Sequence, residues 1–432
     1  MLKNIGSYSL PPLLLLLYIS SCTSPNAIFS KQDKDNSSAQ IQELARTIHQ
    51  QALVLDAHAD IVTPTTSANF LSADGLSKVD VSKLKKGGVD AVVMSVAVAP
   101  GPRTEDGDAR ARIEANEKLS IVKETIKKDD KVILASSSAA ILSAKQNDKL
   151  AIVLGFQNAR ALQKDISAID SFYKEGIRIF ALNHLGHNDF SDSSRPAFNG
   201  TTDEYESASE HGGLSSLGRA AIKRINKLGA IVDVTQSSKE ATLQTVELSN
   251  APVIASHTNV RVISNVSRNI SDEEIDLIGK KDGVVHVSPF RAYLLDYSDH
   301  ALIAEIKAAR RSFGLSEIYS YPFELYWEIE DQTKKYAFLK SISDIIGPAD
   351  VNDLIDHIDH IVKRVGIDHV GIGTDFNHGS GIDGYTDAAD ALNVTVGLVK
   401  RGYSADDIEK IWGGNFLRVF KEVEQIAVQN RN

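Results

Sequence analysis

Sulfur chemistry is almost absent from this chain: Cys22 is its only cysteine. A single cysteine excludes an intramolecular disulfide, so nothing staples the fold covalently. Long basic runs are missing too, and the formal net charge is −10. That balance argues against the electrostatic footprint of a nucleic-acid binder and otherwise says only that the protein should be soluble. The apolar run near the N-terminus, Leu13 to Leu17, is too brief to span a bilayer stably. What remains is a globular composition of 42% hydrophobic and 24% charged residues over 432 positions. It suffices for a substantial core in one large domain or two of ordinary size.

The first residues read as a targeting segment rather than as part of the fold. Lys3 supplies a small positive n-region, Leu13 to Leu17 an apolar core, and Ile19-Ser-Ser-Cys22 resembles a bacterial lipobox. In a lipobox the cysteine is lipidated and becomes the new N-terminus, which would explain the one cysteine. Residues 1–22 are therefore expected to be a lipoprotein signal peptide, and residues 23–38 a polar tether. The expected location is the cell envelope, with the chain exported and held by lipid at Cys22.

From residue 39 to 432 short apolar runs alternate with helical patterns. The first run is Leu53-Val-Leu-Asp-Ala-His-Ala-Asp60, and the second starts at Val89. Others span residues 149–157, 176–182, 229–234, 252–257, 283–288 and 369–375. Eight such runs separated by helices are the count for a parallel (β/α)8 barrel of the TIM type. A doubly wound open sheet has fewer strands and no reason to end so many of them in polar residues. Two stretches fall outside the repeat. Residues 190–213 are rich in Ser, Asp and Glu and read as a loop over the barrel mouth. Residues 290–348, between the seventh and eighth strands, read as a helical insertion that shapes a pocket.

Barrels of this kind carry their chemistry at the C-terminal ends of the strands. Taken in order, those ends are His58 and Asp60, Gln157, His184, Gln236 just past strand five, His257 and Asp375. His58 and Asp60 alternate along an extended chain, so they share a face and form half of a divalent metal site. The other histidines read differently. His357 and His360, on the helix before the eighth strand, are expected at a solvated helix surface. His187, His211 and His378 are expected in loops near the rim, where each could touch substrate but a surface role is favoured.

The set of segments resembles the membrane dipeptidase (renal dipeptidase, peptidase M19) family from about Leu53 to the C-terminus. D-A-H-A-D, Gly213-Leu-Ser-Ser-Leu-Gly-Arg219, Ser256-His-Thr-Asn259, Arg268-Asn269, Gly371-Ile-Gly-Thr-Asp-Phe376 and Gly413-Gly-Asn-Phe416 stand in the family's order. The resemblance implies a zinc-dependent hydrolase of dipeptides or similar short peptides, and a homodimer. It places His58 and Asp60 on the first zinc, His257 on the second, and His184 at the scissile carbonyl. Arg268 falls on the residue holding the substrate carboxylate, and Asp375 on the one handling the proton of the attacking water. Two positions depart from the family pattern. Gln157 stands where a bridging glutamate is usual, and Gln236 where a second histidine is. Neutral amides bridge two cations poorly, so one zinc per chain is favoured over two. The departures leave two other readings open: a catalytically weak peptide-binding member, or a tailoring enzyme of a peptide natural product such as a siderophore.

Overall fold

The computed structural model describes residues 31–199, 202 and 204–429. The lipobox and Cys22 lie outside them. The first helix runs Lys31–Gln51, so it begins inside the segment read as a tether rather than at Ala39. The stretch has no Pro or Gly to stop a helix from starting that early. None of the helices in the described residues is long and apolar enough to cross a membrane.

Eleven strands follow: β1 Leu55–Asp60, β2 Ala91–Ala97, β3 Val132–Leu134, β4 Leu150–Gln157, β5 Ile177–Ala181, β6 Phe198–Asn199, β7 Glu204–Tyr205, β8 Ile231–Asp233, β9 Val253–Thr258, β10 Val284–Val287 and β11 Val370–Ile372. Eight of them pair in parallel in the order β1-β2-β4-β5-β8-β9-β10-β11. A parallel bridge between Ala59 and Phe376 joins the last strand back to the first. The (β/α)8 barrel read from the sequence is therefore the fold. The sequence reading missed β3, a three-residue strand that pairs in parallel with the first residues of β4. So short a run carries no period to detect.

Two layers of apolar side chains hold this barrel. Leu55, Ala91, Val93, Ala151, Val153, Ile179, Ile231 and Ile254 fill its interior together with Phe416, Val419, Phe420 and Val423 of the last helix, Asn415–Gln429. Period-two alternation puts the opposite set, including Val92, Ile152, Leu154 and Phe156, against the surrounding helices. Gln157 and Asp233 continue the interior-facing series of β4 and β8, so both end at the mouth. The interior is tight: a Cβ on Gly373 would collide with the Ser256 carbonyl oxygen, so only glycine lets β11 lie that close to β9.

The insertion at 290–348 is helical as expected, with helices Arg291–Leu294, His300–Ser312 and Gln332–Ile346. It has its own core of Tyr293, Tyr297, Ile306, Tyr321, Leu325, Phe338 and Ile342. Arg310, fully buried, donates to the carbonyls of Ser316, Pro322 and Glu324 and so fixes the loop that carries Tyr321. The described residues of the polar stretch 190–213 do more than form a plain loop. It contains the β6–β7 hairpin, and the Tyr205 hydroxyl donates to Glu324 of the insertion at 2.5 Å.

His357 corrects the sequence reading. It is fully buried, not solvated: Nδ1 accepts the Val260 N–H at 2.9 Å and Nε2 donates to the Leu294 carbonyl at 3.0 Å. The neighbouring insertion covers this helix face, which no local pattern announces. His360 pairs with Asp272 at 2.8 Å on the half-buried side. Burial drives the His357 imidazole down to about 4, so the folded chain holds it neutral. Unfolded, it protonates near pH 6.5. Its stabilising contribution is thus complete above about pH 6.5 and is lost as the pH falls toward 4, by up to about 3 kcal/mol. A His357→Gln variant, whose amide can both accept and donate, should lose less stability between those pH values in urea titrations. An unchanged acid slope would contradict this.

Candidate active site

The site begins with Asp56. Its carboxylate accepts the Thr374 N–H at 2.8 Å, the Thr374 hydroxyl at 2.6 Å and the His58 N–H at 3.1 Å. Burial raises this carboxyl to about 6. The network sews β1 to the segment after β11 and aims His58 and Asp60 at the mouth. His58 Nε2 and Asp60 Oδ1 lie 3.4 Å apart, both buried without a hydrogen-bond partner. Ligand atoms of His58, Asp60 and Asp375 all lie within 4.8 Å of one another, and so do those of His58, Asp233 and His257. The His58 and His257 rings stack at 3.6 Å between centroids.

Asp233 is the member that sequence reasoning missed. Its Oδ1 accepts from Thr235 and from the Ser256 N–H, and its Oδ2 accepts the Ser256 hydroxyl at 2.5 Å. With its proton given to Asp233, the Ser256 oxygen can only accept from His257 Nδ1, 2.8 Å away. His257 therefore keeps its Nε2 lone pair for a ligand, as outer-shell partners of metal-binding imidazoles arrange. The available signal was Asp233's place two residues after the inward-facing Ile231. The sequence reading settled instead on Gln236, three residues further.

His378 is also corrected, from a surface residue to a member of the site. Its Nδ1 sits 2.7 Å from Asp60 Oδ2, and its ring meets His184 edge-on at 5.4 Å. Burial pulls its imidazole down, but Asp60 overcomes this and leaves it above the ordinary value. Burial likewise raises Asp60, but His378 and His58 together hold it well below the usual carboxylate range. His184 is buried with an unpartnered Nδ1, and burial holds it well below its ordinary value, hence neutral. His187 and His211 are structural: the first accepts from Ser193 and donates to Ser207, and the second donates to the Asn188 carbonyl.

Arg268 is buried with Nη1 and Nη2 unpartnered, 3.9 Å from Asp375 and stacked on Tyr293 at 4.7 Å. Gln157 and Gln236 are buried at their strand ends with one unpartnered amide atom each, Nε2 and Oε1. Among the described residues neither amide side chain is hydrogen-bonded to the His or Asp set. Gln236, Asp375 and Asn377 all hold positive φ (65°, 55° and 69°), a conformation that costs energy outside glycine and clusters at functional sites.

The mouth opens into a cavity of about 1770 Å³ lined by Asp60, His184 and His378 at one end and by the insertion at the other. Arg195 was also missed by the sequence reading. It is buried in this wall, stacked over Tyr321 at 4.6 Å, with its Nε unpartnered. Nothing in its loop sequence marks it.

Residues 42–432 match the model of the membrane dipeptidase family, peptidase family M19. The crystal structure of the probable dipeptidase PvdM from Pseudomonas aeruginosa is 32% identical, with a TM-score of 0.78 over 90% of this chain and 99% of that one. Dipeptidase tcpJ of Claviceps purpurea is 26% identical over 82% of this chain and 71% of its own length. A metallo peptidase from Rhodobacter sphaeroides, solved with a phosphinate mimic of the dipeptide L-Ala-D-Ala, shares the fold at a TM-score of 0.66 and 18% identity, over 86% and 99% of the two chains. With the family model covering the barrel from end to end, the chain belongs to the membrane dipeptidase family, peptidase family M19, a family of peptide-bond hydrolases.

Proposed function

We propose that this chain hydrolyses dipeptides or similar short peptides with the help of a divalent cation. The observation that carries the reading is the convergence of His58, Asp60 and Asp375, whose ligand atoms lie within 4.8 Å of one another around buried, unpartnered His58 Nε2 and Asp60 Oδ1. Left bare, such atoms cost desolvation energy with no return, so the donor set fits a cation. His58 and Asp60 would hold it, with His257 beside them. Zinc suits these nitrogen and oxygen donors, and it would supply Lewis acidity toward a water and a peptide carbonyl.

The protein's own groups do the rest. Arg268, whose two terminal nitrogens make no hydrogen bond although Nη2 lies 3.9 Å from Asp375, presents its guanidinium fork to the substrate's terminal carboxylate. Asp375 takes a proton from the attacking water and returns it to the leaving amine as the C–N bond breaks. Burial raises Asp375, against the pull of His378 and Arg268, which is the direction a proton acceptor needs. The neutral His184 has one N–H to give to the developing oxyanion. Gln157 and Gln236, being uncharged, favour a single tightly held cation over two. A panel of dipeptides, with L- and D-residues at the C-terminus, tests the reading on metal-loaded protein with and without a chelator. Failure to cut any of them would leave a peptide-binding member of the family.

The lipobox-like Ile19-Ser-Ser-Cys22 supports a lipid-anchored location at the bacterial cell envelope. On that reading Cys22→Ala abolishes lipidation and membrane association. Unchanged partitioning of the variant into a detergent phase removes the anchor.

A further inference from the structure

The cavity is larger than the smallest dipeptides would fill. At about 1770 Å³ it exceeds the roughly 300–1000 Å³ of pockets that enclose a drug-sized ligand. A bare dipeptide would leave most of it to water. The surplus is not evenly distributed. The reacting groups, including Asp60, His184 and His378, occupy one end. An apolar wall starts at Phe70, stacked on His378 at 5.6 Å, and continues through Tyr326 to the exposed Trp327, with Ile113, Phe323 and Tyr336 also lining the cavity. Trp327 and Tyr336 are 40% and 62% exposed and are the only exposed aromatic side chains among the described residues. Both face the same recess. Exposed aromatics gathered at one concave site mark a binding surface, since elsewhere water would select against them.

The polarity of the two ends adds a direction. Arg268 and Asp375 lie beneath the floor, 3% and 4% exposed, and neither lines the open cavity. A substrate whose carboxylate is held by Arg268 therefore points its amino-terminal portion outward along the aromatic wall. Charge in that wall is of both signs. Arg195, Arg291 and Lys335 line it, and none of them has a carboxylate partner within salt-bridge reach. Glu114 is paired with Lys118 at 2.9 Å, and Glu117 lines the same cavity with no salt-bridge partner among the described residues, so both signs are present.

We propose that the wall built by the insertion is a subsite for a large aromatic group carried by the amino-terminal portion of the substrate. The preferred substrates are thus aromatic-extended peptides and not the smallest dipeptides. The inference rests on the hydrolase reading above for the direction of the substrate, and on the cavity alone for the subsite.

Two measurements keep the two readings apart. The first compares kcat/KM for alanyl-alanine and naphthylalanyl-alanine on the full chain. The account expects at least about a tenfold preference for the naphthyl substrate, expressed mainly in KM. In Trp327→Ala/Tyr336→Ala that ratio collapses toward one, whereas Leu142→Ala, an exposed apolar side chain outside the cavity, keeps it. A wild-type ratio near one, or a ratio that survives the double change, overturns the subsite. If neither peptide is cut, the hydrolase reading fails and binding decides the subsite. The chain has two tryptophans, and Trp412 is buried at 1% exposure, so Trp327 can report the cavity. Nitrotyrosyl-alanine should quench fluorescence saturably in the native chain and not in Trp327→Ala. No saturable quenching, or equal quenching in the variant, overturns the proposal.

Discussion

Asp375→Asn should lower kcat by about 10²–10⁴-fold, the range spanned by a positioned proton acceptor, with little change in KM. The exchange is close to isosteric, and the backbone tolerates it. Asp375 sits at φ 55°, a conformation that asparagine adopts more readily than most residues. Its N–H donates to the His58 carbonyl at 2.9 Å, a bond any residue but proline retains. What the variant loses is basicity: an amide cannot take the proton of the attacking water. It keeps an oxygen to offer, so cation content should be preserved. The readout is kcat beside elemental analysis of the same sample. Near-native turnover would remove Asp375 from the proton path. Loss of the cation along with activity would make it a ligand instead.

His58→Ala should have a still larger effect, because both groups of converging donors contain His58. The substitution removes the imidazole from the Asp60 and Asp375 side and from the Asp233 and His257 side together. It also leaves Asp60 buried beside a space, with His378 as its remaining imidazole partner. Bound cation should fall to background after dialysis, and hydrolysis should disappear with it. Ser256→Ala is the graded comparison. Ser256 touches His257 only from behind, and losing an outer-shell partner costs about 10–100-fold in affinity. A His58→Ala protein that still retains its cation would place the centre elsewhere.

Much of this centre was legible in the sequence where chemistry follows a local period. The D-A-H-A-D stretch alternates, so His58 and Asp60 had to share a face. The polar ends of six of the eight apolar runs pointed to one rim of one barrel. Where side chains meet through tertiary contacts, the pattern fell silent. Asp233 and Ser256 work through hydrogen bonds between adjacent strands, and neither residue type is rare at strand ends. His378 reaches Asp60 because a turn of positive-φ residues, Asp375 and Asn377, folds the chain back. His357 was misread because the face it buries is covered by the insertion, 63 residues away at Leu294. The closing Gly413-Gly-Asn-Phe416 segment shows the converse. Its role is packing: the Asn415 amide donates to the Ile367 and Val370 carbonyls under the barrel.

The central claim is a cation held by His58 and Asp60, in a site where Gln157 and Gln236 cannot neutralise a second one. Elemental analysis of dialysed, catalytically active protein tests it most directly. The account predicts about one zinc per chain, rising toward two in Gln157→Glu/Gln236→His, where a bridging carboxylate and a further imidazole become available. Two tightly held ions in the unmodified chain, or full activity in a chain that holds none, would contradict it.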